Sequence, residues 1–136
     1  MKTVVSTGLV AMLAGAIALA APAQAATVKQ VTGSCRDGDF SGRFTLRYET
    51  SGGYHHPIGA TTSSGPYIGD SGNLLLRIFY RDGFTTHTVY TRSIPTTGST
   101  STTLPSGIDV PVTAVGSASA KFDNGTNSCV ATVSIT

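Results

Sequence analysis

The side chains in this sequence best suited to chemistry are three histidines, two cysteines and a few scattered carboxylates. His55 and His56 are adjacent, while His87 and Asp70 lie elsewhere in the chain. Imidazole is a common metal ligand, but neighbours on an extended chain point to opposite faces and do not readily share one ion. No H-x-H or H-x-x-x-H spacing supports a zinc or copper site. The pair reads as polar residues ahead of Pro57 in an exposed loop, and no metal or other cofactor is expected. Cys35 and Cys129 lack the C-x-x-C spacing of a zinc site and are expected to form a disulfide.

Gly69-Asp70-Ser71-Gly72 resembles the string around the nucleophile of chymotrypsin-like serine proteases. The resemblance covers those four residues. Asn73 stands where that family continues with Gly-Pro, and no histidine has the family's Ala-Ala-His-Cys setting. The chain is also about half of what that two-barrel fold needs, so the string is read as a turn entering a strand. Asp37-Gly38-Asp39 has the first carboxylates of a calcium loop without its later ligands or closing Glu, and is read as a turn after Cys35. Asn124-Gly125-Thr126 fits an N-glycosylation acceptor, yet Asn-Gly is equally a hairpin signal, which is the reading adopted. No catalytic set emerges, and the protein is expected not to be an enzyme.

The elements that would position these residues begin after a leader. Met1-Lys2, an apolar run from Leu9 to Ala20 and the ending Ala23-Gln24-Ala25 have the three parts of a secretory signal peptide, with cleavage expected between Ala25 and Ala26. The run is too short for a membrane span, and Pro22 closes it. The expected mature chain, 26–136, has one domain's length and no transmembrane segment. It carries eight basic against seven acidic residues, which gives no electrostatic case for nucleic acid. Of its 111 residues, 33 are Ser or Thr, a composition that favours strands and turns over helices.

Period-2 alternation marks the strands. It is seen in Val28–Cys35, Phe44–Tyr48, Ala118–Phe122 and Cys129–Ile135, while the more apolar Leu74–Arg81 reads as a central strand. Asp82-Gly83 and Asn124-Gly125 are the hairpin turns, with Thr85–Arg92 as a returning strand. Ile108, Val110, Val112 and Ala114 alternate around Pro111, which suggests an edge or bulged strand. Two segments fall outside the pattern: the Ser/Thr-rich stretch 94–107 and the stretch 52–72, both read as loops.

The fold expected is all-β, a single immunoglobulin-like β-sandwich of about seven or eight antiparallel strands with one disulfide joining the first and last. Its function is read as a secreted, non-catalytic binding module at the cell exterior or envelope. The 52–72 loop, with Tyr54, His55, His56 and Tyr67, is the expected binding site. Its partner would be a cell-envelope glycan or an extracellular protein. The alternatives are a small secreted inhibitor or effector acting on a protein, and a small hydrolase.

Overall fold

A computed structural model describes residues 27–136; the leader and its cleavage point at Ala25 and Ala26 lie outside the described residues. The described residues form nine strands: β1 (Val28–Asp37), β2 (Phe40–Ser51), β3 (Tyr54–Gly65), β4 (Asn73–Asp82), β5 (Thr85–Pro95), β6 (Thr100–Thr103), β7 (Val110–Pro111), β8 (Val115–Asp123) and β9 (Ser128–Ile135). They make two antiparallel sheets, one ordered β1-β2-β3-β6 with β7 also pairing with β3, the other β5-β4-β8-β9. Among the described residues no helix is long and apolar enough to cross a membrane.

Alternation decides which face of each strand is covered. Phe40, Phe44, Leu46 and Tyr48 of β2 are buried, and they pack with Ala118, Ala120 and Phe122 of β8 and Ala131, Val133 and Ile135 of β9 in one core. Large side chains from one sheet therefore meet many small ones from the other, as dense packing between sheets requires. Gly42 shows how tight the fit is: a Cβ there would collide with the buried ring of Phe122.

The disulfide Cys35–Cys129 joins β1 to β9, the first and last strands, with Cα atoms 5.6 Å apart. The same seam is pinned at its other end. Lys29 Nζ donates to the Thr136 carbonyl at 3.0 Å. Tyr48 OH donates to that oxygen at 2.8 Å and accepts from the Thr136 amide at 3.2 Å. One lateral edge of the sandwich is thus closed by covalent and polar ties.

The hairpins at Asp82-Gly83 and Asn124-Gly125 occur as the sequence predicts, with φ of 60° at Gly83 and 91° at Gly125. Three expectations need correction. The segment 52–72 is not one irregular loop, because β3 occupies Tyr54–Gly65. Gly52 and Gly53, at φ 60° and 84°, make a tight turn that returns the chain from β2 directly into β3. The Ser/Thr-rich stretch 94–107 likewise contains β6, which pairs along Gly59–Thr62 of β3. By contrast, the alternating set at 108–114 shrinks to the two-residue β7, although Ile108 and Val110 do face the core.

Candidate functional site

The adjacent histidines sit on β3 and are directed apart. His55 is 5% exposed, so it is not a loop residue on the surface. It meets the Tyr48 ring edge-on at 5.4 Å and shares a 2.7 Å hydrogen bond with the Thr50 hydroxyl. Burial, and secondarily the positive charge of Lys29, hold its pKa below the usual histidine value.

His56 faces outward. Its Nδ1 donates to Asp109 Oδ1 at 2.7 Å and its Nε2 donates to the Ser51 carbonyl at 3.1 Å. Both ring nitrogens face acceptors, an arrangement that suits the imidazolium. The hydrogen bond to Asp109 is the main cause that raises its pKa, with the Ser51 carbonyl assisting. With Nε2 committed to a backbone oxygen, His56 has no free nitrogen to activate a serine hydroxyl. Because His56 is protonated more readily folded than unfolded, its contribution is complete below about pH 6.5 and fades as pH rises through the raised folded value. Asp109→Asn should therefore cost more melting temperature at pH 5.5 than at pH 8.5. The partners are 35% and 44% exposed, so the difference amounts to only a few tenths of a kcal/mol. Equal losses at both pH values would show that the contribution of the Asp109 contact does not depend on protonation of His56.

The two tyrosines do not form a platform. Tyr54 is 45% exposed at the β2–β3 turn, while Tyr67 lies beyond the other end of β3, roughly 40 Å of strand away. Tyr67 packs edge-on against Phe40 with ring centroids 5.6 Å apart and hydrogen-bonds the Ser64 hydroxyl. It holds the segment after β3 onto the core. Gly69-Asp70-Ser71-Gly72 forms a turn before β4, with Gly69 at φ 75°. Asp37 accepts from the Ser128 amide at 3.2 Å, which ties the β1–β2 turn to β9. Among the described residues no three His, Cys, Asp or Glu side chains converge as a metal-ligand set.

What the strands do bring together is the outer face of the first sheet. Register places Thr32, Thr45, Thr61 and Ser101 side by side across β1, β2, β3 and β6. Thr32 and Thr45 share a hydroxyl–hydroxyl hydrogen bond of 2.9 Å. One row away, Arg43 stands between Ser34 and Ser63; on the other side Arg47 stands between Gln30 and Gly59. Three shallow depressions tile this surface. The first, about 780 Å³, lies between Arg36 and Ser63 and shares Arg43 with the second, of about 500 Å³. The second shares Thr61 and Ser101 with a third, of about 230 Å³, beside Arg47. Together they form one open trough across four strands, lined by hydroxyls, guanidinium groups and exposed backbone.

The sequence shows the outward set Arg43, Thr45, Arg47 only as the solvated side of a strand. Its signal as a site is the register, which aligns it with hydroxyls on the neighbouring strands, and that depended on finding β3 and β6. No family model, curated protein or solved structure matches the chain.

Proposed function

We propose that the protein is an exported, non-catalytic binding module that lays an extended polymer of the cell envelope along the outer face of its first sheet. The trough across β1, β2, β3 and β6 carries this reading. It is open and continuous, so it suits a chain held along its length better than a compact ligand sealed in a pocket. Its aligned hydroxyls offer both donors and acceptors to sugar or polyol oxygens. Export is supported by the leader-like start of the sequence and by the disulfide, which belongs to an oxidising compartment. Two facing antiparallel sheets with the core between them support an immunoglobulin-like architecture in the broad sense of a sandwich.

The test is to mix purified protein with insoluble envelope preparations and sediment them. The protein is expected to leave the supernatant with at least one preparation. Thr45→Trp, which fills the middle of the trough from an outward-facing position, is expected to abolish that depletion while Tyr54→Ala preserves it. Depletion that Thr45→Trp leaves intact, or none on any preparation, would overturn the proposal.

A further inference from the structure

The balanced composition of the chain conceals a segregation of charge. Six of the seven acidic residues lie at strand ends or in connections: Asp37, Asp39, Asp70, Asp82, Asp109 and Asp123. The seventh, Glu49, is on the outer face of β2 near its end, paired across to His56. The basic residues are instead carried along the strands. On the first sheet Arg36, Arg43 and Arg47 all project from the outer face, interleaved with Ser41 and Thr45. Among the described residues the ion pair His56–Asp109 stands alone, so none of the three arginines is paired with a carboxylate. Arg36 donates Nε to the Gly38 carbonyl at 3.0 Å, which leaves its terminal nitrogens available.

On the second sheet the central arginine of β4 is held differently. Arg77 is folded over the Phe79 ring, 4.6 Å from its centroid, and two of its nitrogens donate to the Thr88 hydroxyl. Its guanidinium is already engaged. On the first sheet, by contrast, Arg36, Arg43 and Arg47 line the depressions of the trough itself.

We infer, building on the polymer-binding reading above, that the bound polymer is anionic, a linear sugar or polyol chain bearing sulfate, phosphate or carboxylate groups that meet Arg36, Arg43 and Arg47. Arg43 and Arg47 are four residues apart on one strand, about 13 Å; Arg36 is one strand over and about two residues further along, about 8 Å from Arg43. The three charges therefore form a line of roughly 20 Å along the trough, matching a polymer with repeated charges rather than a single ion. Guanidinium presents a planar fork of donors to such oxyanions, and the serine and threonine hydroxyls between the arginines bind the uncharged part of each repeat. The residues lining the trough include no aromatic side chain, and Tyr54 and His56 stand beyond its end at the β2–β3 turn, so affinity in the trough rests on charge and hydrogen bonds. It must then weaken as salt rises.

The experiment compares binding of dextran sulfate, alginate, poly(glycerol phosphate), unmodified dextran and single-stranded DNA by the purified protein. The anionic sugar or polyol chains are expected to bind in a salt-sensitive manner and unmodified dextran not to bind. Preference for dextran sulfate or alginate identifies a sugar source of the anion; preference for poly(glycerol phosphate) identifies a polyol phosphate. Arg43→Gln with Arg47→Gln should weaken binding about tenfold or more. Arg77→Gln with Arg81→Gln, on the other sheet, should leave it unchanged, and melting curves should show all variants folded. Tighter binding of DNA, or an equal loss in both double variants, overturns the inference. Binding of unmodified dextran or a neutral envelope polymer through the same face would overturn the anionic class alone and leave the polymer-binding proposal standing. Failure to bind any polymer would sink both.

Discussion

Replacing Cys35 and Cys129 together by serine is expected to lower the unfolding free energy by roughly 4–5 kcal/mol. The two residues are 94 positions apart, so the crosslink restricts nearly all of the unfolded domain. Small domains typically hold only about 5–15 kcal/mol in total, so the variant would retain a narrow margin. The native side of the balance points the same way. β1 pairs with only one strand, β2, and buries little: Val31, Gly33 and Cys35 alone along its length are even partly covered. Without the crosslink, β1 keeps its ladder to β2 and the Lys29–Thr136 contact, and its Cys35 end should fray first. That end carries Ser34 and Arg36, so loss of the disulfide should also weaken polymer binding before the rest of the sandwich unfolds. Urea unfolding of the double variant, and of the native protein with and without reductant, measures the first effect. A loss below about 1 kcal/mol would show that the unfolded chain gains little freedom on reduction.

The strands legible in the sequence are those whose inward positions are strongly apolar. In β2, β4, β8 and β9 the alternation of Phe, Leu, Ile, Val and Ala with polar residues marks both the strand and its buried face. β3 escaped because its inward positions are His55, Pro57, Ala60 and Thr62, a set with almost no apolar signature. A bulge opposite Arg47 and Tyr48 places Ile58 out of register and breaks the period of two midway along the strand. Its signal in the sequence is Gly52-Gly53, since two consecutive residues able to take positive φ directly after an alternating strand mark a hairpin. β6 is harder still: in Thr-Ser-Thr-Thr only Thr102 is buried, and pairing with β3 rather than its own composition makes it a strand. The candidate site inherits these gaps. Arg43, Thr45 and Arg47 are visible as the wet side of β2, but a face four strands wide exists only once β3 and β6 are placed beside it. Charge segregation was hidden for a similar reason, because a net balance carries no information about which residues turns collect and which strands display.

Asn124→Ala is expected to cost about 3 kcal/mol, more than the usual effect of removing a polar side chain from a turn. Asn124 is 5% exposed although it stands in the β8–β9 connection. Its Oδ1 accepts from the amides of Thr126 and Asn127 at 3.0 and 2.6 Å, which sets the turn. Its Nδ2 donates to the Pro66 carbonyl at 3.2 Å, which ties that turn to the segment following β3. Neighbouring Asn127 extends the tie, donating Nδ2 to the Asp37 carbonyl at 3.0 Å in the β1–β2 turn. Two connections of the sandwich thus meet on the Asn124 side-chain amide near the disulfide end, Asn127 ties in a third, and alanine removes the partner of two amides and a carbonyl at once. Asn124→Asp separates the contributions. A carboxylate keeps both bonds from the turn amides and strengthens them by its charge, but it sets an oxygen against the Pro66 carbonyl. The aspartate variant should therefore be less stable than the native protein and more stable than the alanine variant at pH 7. If urea midpoints place the two variants together, the tie to Pro66 carries the whole effect; if aspartate matches the native protein, that tie contributes nothing and the turn alone accounts for the burial of Asn124.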